Sequence, residues 1–448
     1  MKRLVLLTRI DIEAASAAVE ATLREAVLGD VPLVVVKAPP GSGKTYLLLK
    51  SVEALAGVGA RVAIGAQTNS QADDICERIA REYPGISAVR FAAGRAPAKA
   101  LGPNIRWVTD KRELPADRCV VVSTVAKWSL TELDDPFDLL LVDEAWQMSW
   151  SDFMLCGQVS ARFVLIGDPG QIPPVVSIPV HRWETSPRAP HQPAPELILA
   201  DPSIPKLELD LPACRRLPFD SVDLVRPFYD FPFGAWAADG ERYVGVVRSR
   251  DGGHFADSAL DKLASGSAVA VTAPTPDGGP PLELDKEIAH MAAEVAVRLL
   301  DRGSMAVDDD SGEERPVTPD DIGLVATHRV VNTEIFQALP TGLRGRVQVD
   351  TPERWQGLER KVMVVVHPLS GVTVPSSFDL ETGRLCVMTS RHRSGVVVVS
   401  RDHIPATLEA HIPVAEQAIG RPDVAGRGHA ANLRFWETME DQQRVVHT

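Results

Sequence analysis

The stretch PLVVVKAPPGSGKTYLLLK, residues 32–50, runs from an apolar segment into a glycine-rich turn and then into a helical pattern. Residues 33–36 are apolar without alternation, which reads as a strand covered on both faces, as in a parallel sheet. Gly41 and Gly43 free the backbone to aim its N–H groups at a phosphate, and the helix that follows brings its partial positive end to the same place. Lys44 offers a point charge for β- and γ-phosphates, and Thr45 a hydroxyl for Mg²⁺. Gly41, Ser42, Gly43, Lys44 and Thr45 are therefore candidate nucleotide-binding residues, with ATP and Mg²⁺ as the implied cofactors.

Working outward, the same kind of run recurs at 61–66, 119–124, 138–145 and 163–168, with a helical pattern at 70–82 that Ser70 can cap. A second set follows at 267–273, 321–327, 346–351, 361–368 and 395–400, with a helix predicted over 284–300. Strands alternating with helices predict an α/β fold. The proline-rich stretch 177–206 between the sets reads as a linker or surface excursion, and the acidic loop 307–315 as solvated.

Two strand ends carry chemistry. LLLVDEA (139–145) leaves Asp143 and Glu144 side by side at a buried strand end, a costly placement unless they serve a cation or a water. Asp143 suits Mg²⁺ and Glu144 suits polarising an attacking water. LIGDPGQIPPVV (165–176) ends the next strand, and Gln171 there is placed to sense a γ-phosphate.

The chain has 448 residues, enough for two to four domains, and a net charge of −13. An acidic protein has no global field for nucleic acid, so binding of that kind needs a local groove. No apolar run approaches the roughly 20 residues of a membrane span. Leu4 to Leu7 is too short for a secretory signal and reads as a first strand. The five cysteines are scattered without a CxxC pair, which argues against zinc and disulfide frameworks and for a reducing, cytoplasmic setting.

Taken in order, APPGSGKT (38–45), AQTNSQADDI (66–75), VVSTVAKW (121–128), VDEAWQ (142–147), GDPGQIPPV (167–175), CRRLP (214–218), VDTPERWQGLE (349–359) and LCVMTSRHRSG (385–395) resemble the motifs of a superfamily 1 helicase. The GDxxQxPPV form resembles branch B, the 5′-to-3′ enzymes that include the nonsense-decay RNA helicase and RecD-type DNA helicases. The resemblance implies two tandem RecA-like P-loop domains with parallel sheets, expected over 1–200 and 201–410, with a C-terminal helical tail over 411–448. ATP would lie in the cleft and single-stranded nucleic acid across the top, DNA favoured over RNA. It implies catalytic roles for Lys44, Glu144, Gln171, Arg215 and Arg391, nucleotide contacts from Gly357 and Glu359, metal contacts from Thr45 and Asp143, and coupling through Gln147. Thr68, Asn69, Ser123, Thr124 and Thr351 fall where the family contacts the nucleic-acid backbone.

The departures from the family pattern matter too. No glutamine precedes Gln67, so the adenine-reading residue of the family has no counterpart, and Cys214 precedes two arginines, so the motif IV finger can slip by one. His392 reads as a neutral bystander. The basic stretch 83–118, with Arg90, Arg95, Lys99, Arg106, Lys111, Arg112 and Trp107, fits either a single-strand contact or a solvated loop with a core tryptophan. Trp183 and Trp355 read as core, and the end of the chain, with Leu433 and Trp436, as a helix packed back on the protein. The reading is an ATP-dependent 5′-to-3′ translocase or helicase. The alternative is an ATPase switch inside a larger repair or anti-phage complex.

Overall fold

The computed structural model describes residues 9–94, 96, 100–174, 179–183, 185–249, 253–282, 284–414 and 423–448. The apolar runs of the first half form β1 (Leu33–Lys37), β2 (Arg61–Ala66), β3 (Ala88–Phe91), β4 (Ile105–Val108), β5 (Cys119–Thr124), β6 (Leu139–Val142), β7 (Phe163–Gly167) and β8 (Leu207–Asp210). They lie in the order β4-β3-β5-β2-β6-β7-β1-β8, every pairing parallel. Because β7 is hydrogen-bonded to both β1 and β6, the phosphate loop, the Gln171 loop and the Asp143–Glu144 pair emerge side by side at the carboxyl ends of three adjacent interior strands.

Continuous apolarity is needed because both faces are covered. Val34 and Val36 enter one core with α1 (Arg9–Leu28), α2 (Lys44–Gly57) and α3 (Asn69–Glu82), while Leu33 and Val35 enter the other with Trp128 and Trp146. Each such buried side chain contributes roughly 1.5–3 kcal/mol. The second sheet orders Gln348–Asp350, Ile322–Val325, Arg360–Val366, His392–Arg401, Ala268–Ala273 and Val445–His447, again all parallel. The molecule is α/β with two large parallel sheets.

Several expectations need correction. The strand read at Leu4 to Leu7 lies outside the described residues, and the segment after it, Arg9–Leu28, is helical. Thr68, not Ser70, caps α3, with Gln71 completing the capping box. Residues 83–118 are neither plain loop nor domain: they carry β3 and β4, whose short runs are masked by interleaved arginines. Arg90 is fully buried and paired with Asp73 at 2.7 Å, while Arg95 and Lys99 lie outside the described residues. The break expected at 200/201 falls before β8, which is hydrogen-bonded to β1.

The proline-rich segment does more than link. Its helix Ala194–Ala200 sends Ala194 and Ile198 into the core, because apolar residues recur at helical spacing after Pro193. The acidic loop is engaged rather than merely solvated, Asp310 pairing with Arg242 at 2.6 Å. The C-terminal segment supplies the helix Val424–Asp441, which buries Phe435, Trp436 and Met439, and the edge strand of the second sheet. Trp355 is buried and Trp183 is partly buried.

Candidate nucleotide site

The loop after β1 has the backbone its glycines allow. Gly41 and Gly43 adopt φ of 61° and 88°, and Gly43 caps α2, which begins at Lys44. A side chain at Gly41 would lie 2.4 Å from Arg216 Cβ, so this glycine also lets the second half approach. Ser42 is buried with its hydroxyl unpartnered, an orphaned polar atom inside the loop that a phosphate oxygen would satisfy.

The acid pair meets the loop directly. Thr45 Oγ1 donates to Asp143 Oδ2 at 3.2 Å, and Lys44 Nζ lies 3.4 Å from Glu144 Oε1. Burial, with Glu144 beside it, pushes the Asp143 carboxyl up to about 6, against the pull of Lys44 and Thr45. A buried carboxylate whose charge is disfavoured by burial and by a neighbouring acid, with a hydroxyl beside it, fits a divalent cation, so Thr45 and Asp143 are the residues that would hold Mg²⁺. Glu144 itself sits at φ 51°, a strained conformation for a side-chain-bearing residue, and Gln67 Nε2 holds the turn through the carbonyls of Asp143 and Glu144.

The Gln171 loop is built around Asp168. Asp168 accepts from the Gly170 amide at 2.9 Å, from Gln171 Nε2 at 3.1 Å and from the Tyr229 hydroxyl at 2.8 Å. Gln147 Nε2 reaches Gln171 Oε1 at 3.5 Å. Tyr229 also lies 3.3 Å from Cys386 Sγ in the helix Thr382–Thr389, and burial raises its pKa well above the usual range. A side chain at Gly383 would lie 2.7 Å from the Gln171 backbone, and Gln356 Nε2 donates to Ile172 O at 3.3 Å. The loop opened to question by its sequence is therefore a junction touched by both halves.

The second half brings its arginines to the same cleft. Arg391 is 1% exposed, and its Nε and Nη2 have no hydrogen-bond partner. Burial depresses its pKa and neighbouring Arg216 adds to this, while Asp168 and Glu144 act the other way. Glu359 takes Arg216 on one oxygen at 2.8 Å and Arg393 on the other at 2.5 Å. Burial disfavours its charge, but the two guanidinium groups outweigh that and hold its pKa below the usual value. Gly357 stands exposed at φ 78° in the turn before this glutamate.

Arg215 departs from expectation. Its guanidinium lies 3.7 Å from the Trp236 ring centroid, whereas Arg216 donates to Ser390 O at 3.2 Å and stands beside Arg391. The doubled arginine thus puts Arg216, rather than Arg215, beside Arg391, and Arg242 donates to the carbonyls of both residues. His392, buried and bonded to Ser221 Oγ at 2.7 Å, is held neutral by burial, its pKa lowered to about 3.

Of the expected strand-binding residues, Thr68 and Asn69 follow the end of β2, Thr124 is the last residue of β5, and Thr351 follows Gln348–Asp350. Thr68 and Asn69 are exposed, with Thr68 capping α3 and Asn69 accepting from Arg90 at 2.8 Å. Ser123 is different: it is fully buried and its hydroxyl donates to Phe91 O at 2.7 Å, so it serves the sheet. Asp168, Tyr229 and Gln356 are the residues that sequence reasoning left without a role. Asp168 had a signal in its fixed spacing from Gln171; Tyr229 had none.

Residues 20–177 match the AAA domain family. The DNA replication ATP-dependent helicase/nuclease JHS1 of Arabidopsis thaliana is 27% identical over 144 residues, covering 31% of this chain and 11% of that protein. The DNA replication ATP-dependent helicase/nuclease DNA2 of Gallus gallus is 30% identical over 146 residues, covering 31% of this chain and 15% of that protein. The match thus spans a small fraction of these relatives' length. The matches support a helicase-type P-loop family. Among solved structures, the Arterivirus nonstructural protein 10 (helicase) aligns at 17% identity with a TM-score of 0.42, covering 88% of this chain and 64% of that one. Its complex with DNA aligns at 15% identity with a TM-score of 0.41, covering 87% and 64%. Among the described residues no helix is long and apolar enough to cross a membrane.

Proposed function

We propose that the chain is an ATP-dependent translocase or helicase of the superfamily 1B kind, moving 5′-to-3′ on single-stranded nucleic acid, with DNA as its track. The observation that carries this is Arg391: a fully buried guanidinium with two unpartnered nitrogens, delivered by the second half beside Glu144 and Asp168 of the first. An uncompensated buried charge is costly, and a γ-phosphate supplies what it lacks.

In this reading Ser42 and the loop amides cradle the phosphates and Lys44 carries the charge of the β/γ bridge. Glu144 takes the proton of the attacking water. Arg216 and Arg391 offset charge that develops as the γ-phosphoryl group departs, a role worth roughly 10³–10⁵ in rate. Thr45 and Asp143 would hold Mg²⁺, which when bound would supply further charge neutralisation. Loss of the γ-phosphate removes the partner of Arg391 and releases the second half. Gln171, in contact with Gly383 and with Gln147, transmits that step, and Thr68, Asn69 and Thr124 then move relative to Thr351 along the strand. The track is inferred from the relatives, whose names state DNA replication.

The test is ATP hydrolysis by the purified chain alone, with single-stranded DNA and with single-stranded RNA, using Lys44→Ala as the blank. Stimulation by DNA, weakening as salt rises, is expected. A polymer-independent rate above the blank would overturn the motor and leave an ATPase switch.

A further inference from the structure

The two arginines that meet in the cleft, Arg216 and Arg391, come from stretches far apart in the chain, 214–218 and 389–393. One set of contacts between these stretches involves the arginines themselves: Arg216 donates to Ser390 O at 3.2 Å, and Glu359 takes both Arg216 and Arg393. A second set uses side chains that the hydrolysis leaves idle. His392, next to Arg391, is bonded through Nε2 to Ser221 Oγ at 2.7 Å, and Ser221 lies just beyond the Arg216 stretch. Ser221 Oγ is 2.5 Å from Ser267 Oγ, and the Ser267 hydroxyl donates to Asp220. Asp220 Oδ2 also accepts from the Ser267 amide and from Arg444 Nη2, each at 2.9 Å. Ser221, Ser267 and His392 are all buried.

The far end of this line sets its direction. A carboxylate only accepts, so the Ser267 hydroxyl gives its hydrogen to Asp220 and its oxygen accepts from Ser221. The Ser221 oxygen then accepts from His392, which fixes the imidazole in the tautomer with its hydrogen on Nε2. A hydrogen-bonded chain of this kind is polarised from its charged end, and a buried one with its links engaged specifies a single arrangement. Arg444 ties in the C-terminal segment: its carbonyl accepts from the Ala270 amide at 2.9 Å, where Val445–His447 joins the second sheet. The helicase motif that residues 385–395 resemble usually has alanine at the place of His392, so the line belongs to this chain rather than to that pattern.

Resting on the reading of the cleft as an ATP hydrolysis site, we infer that His392 is a positioning residue. Through Ser221 it locks the stretch carrying Arg391 to the stretch carrying Arg216, so that both guanidinium groups meet the γ-phosphoryl group together. Arg444 anchors the far end of the line from the C-terminal segment. His392 is neutral, but it is no bystander. Displacing a group at a reacting centre by about 1 Å costs about 10²-fold in rate, so a lock of this kind acts on kcat more than on affinity.

The experiment is single-turnover ATP hydrolysis, with equilibrium binding of a non-hydrolysable analogue, on the full chain. The variants are His392→Ala, His392→Gln, Ser221→Ala, Arg391→Met, the pair His392→Ala with Arg391→Met, and Lys44→Ala. His392→Ala and Ser221→Ala are expected to lower the rate about 10- to 100-fold while analogue affinity changes less than about threefold. His392→Gln keeps an N–H donor near the place of Nε2 and should recover most of the rate. Once Arg391 is methionine, His392→Ala should cost less than about threefold more, because groups that act as a unit are not additive. A full further loss in the pair, or an equal loss in His392→Gln, would overturn the inference and leave His392 a packing residue. A rate in His392→Ala within about twofold of the native chain would overturn it as well. Nitrogen NMR of the histidine-labelled chain, with His392→Gln identifying the signal, tests the line without nucleotide. The Nε2–H tautomer is expected, and the Nδ1–H tautomer would overturn the direction of the line. A native chain that hydrolyses no faster than Lys44→Ala would instead overturn the underlying hydrolysis-site reading.

Discussion

Replacing Arg391 by methionine is expected to make the nucleotide-free protein more stable while destroying its activity. The side chain is 1% exposed, and two of its three nitrogens have no partner. Burial is the largest influence on it and Arg216 the next, both against the charge; Asp168 and Glu144 favour it less strongly. Exchanging such a buried ion for a hydrophobe of similar length stabilises by about 1–4 kcal/mol, and each kcal/mol moves the melting point by roughly 2–4 °C in a domain of this size. Hydrolysis should fall about 10³–10⁵-fold. The assay is thermal unfolding with and without a non-hydrolysable ATP analogue and Mg²⁺, alongside steady-state hydrolysis. Saturating analogue at about 100 times its Kd should add about 2.7 kcal/mol to the native chain. The weaker-binding variant should gain less at the same concentration, so the order of melting points converges or reverses. A variant that melts lower than the native chain without nucleotide and still hydrolyses within about tenfold would refute the reasoning and make Arg391 a structural residue.

Glu144→Gln should keep nucleotide affinity and lose about 10²–10⁴ in kcat, measured by equilibrium binding and single-turnover hydrolysis. Gly383→Ala places a methyl 2.7 Å from the Gln171 backbone, an overpacking of about 1–3 kcal/mol across the cleft. It should lower kcat about tenfold or more without changing the fold by circular dichroism. His367 and His392 are buried, each with its pKa lowered from 6.5 to about 3 by that burial. The unfolded chain takes up these protons below pH 6.5 and the folded chain does not, so stability is complete above that pH and falls as the medium acidifies toward 3. At pH 5 each costs about 2 kcal/mol. His392→Gln should flatten part of that slope in denaturant titrations at pH 5 and 8.

Much of this was legible along the chain. The phosphate loop, the acid pair and the Gln171 loop each follow a continuous apolar run, and each of those runs is a parallel strand covered on both faces. Local chemistry dictated these because the relevant contacts lie within a few residues: Gly41 and Gly43 for the turn, Thr45 one step into the helix. What the sequence by itself determined, then, is the pair of α/β halves and the first half's share of the site. The tertiary structure decided the rest. Only the seating of β7 between β1 and β6 brings Asp143 within 3.2 Å of Thr45 and aligns Asp168 with Tyr229, 61 residues away. Only the tertiary structure brings Arg216 to Ser390 and Arg391 and lays Arg215 on Trp236, a choice between identical neighbours that no local pattern encodes. Ser123 read as a contact for nucleic acid and Arg90 as either such a contact or part of a solvated loop, yet a sheet two strands wider at that edge than the sequence suggested buries both. Burial and long-range pairing depend on what the whole chain stacks around a residue, and that is a property of the fold rather than of its neighbours in line.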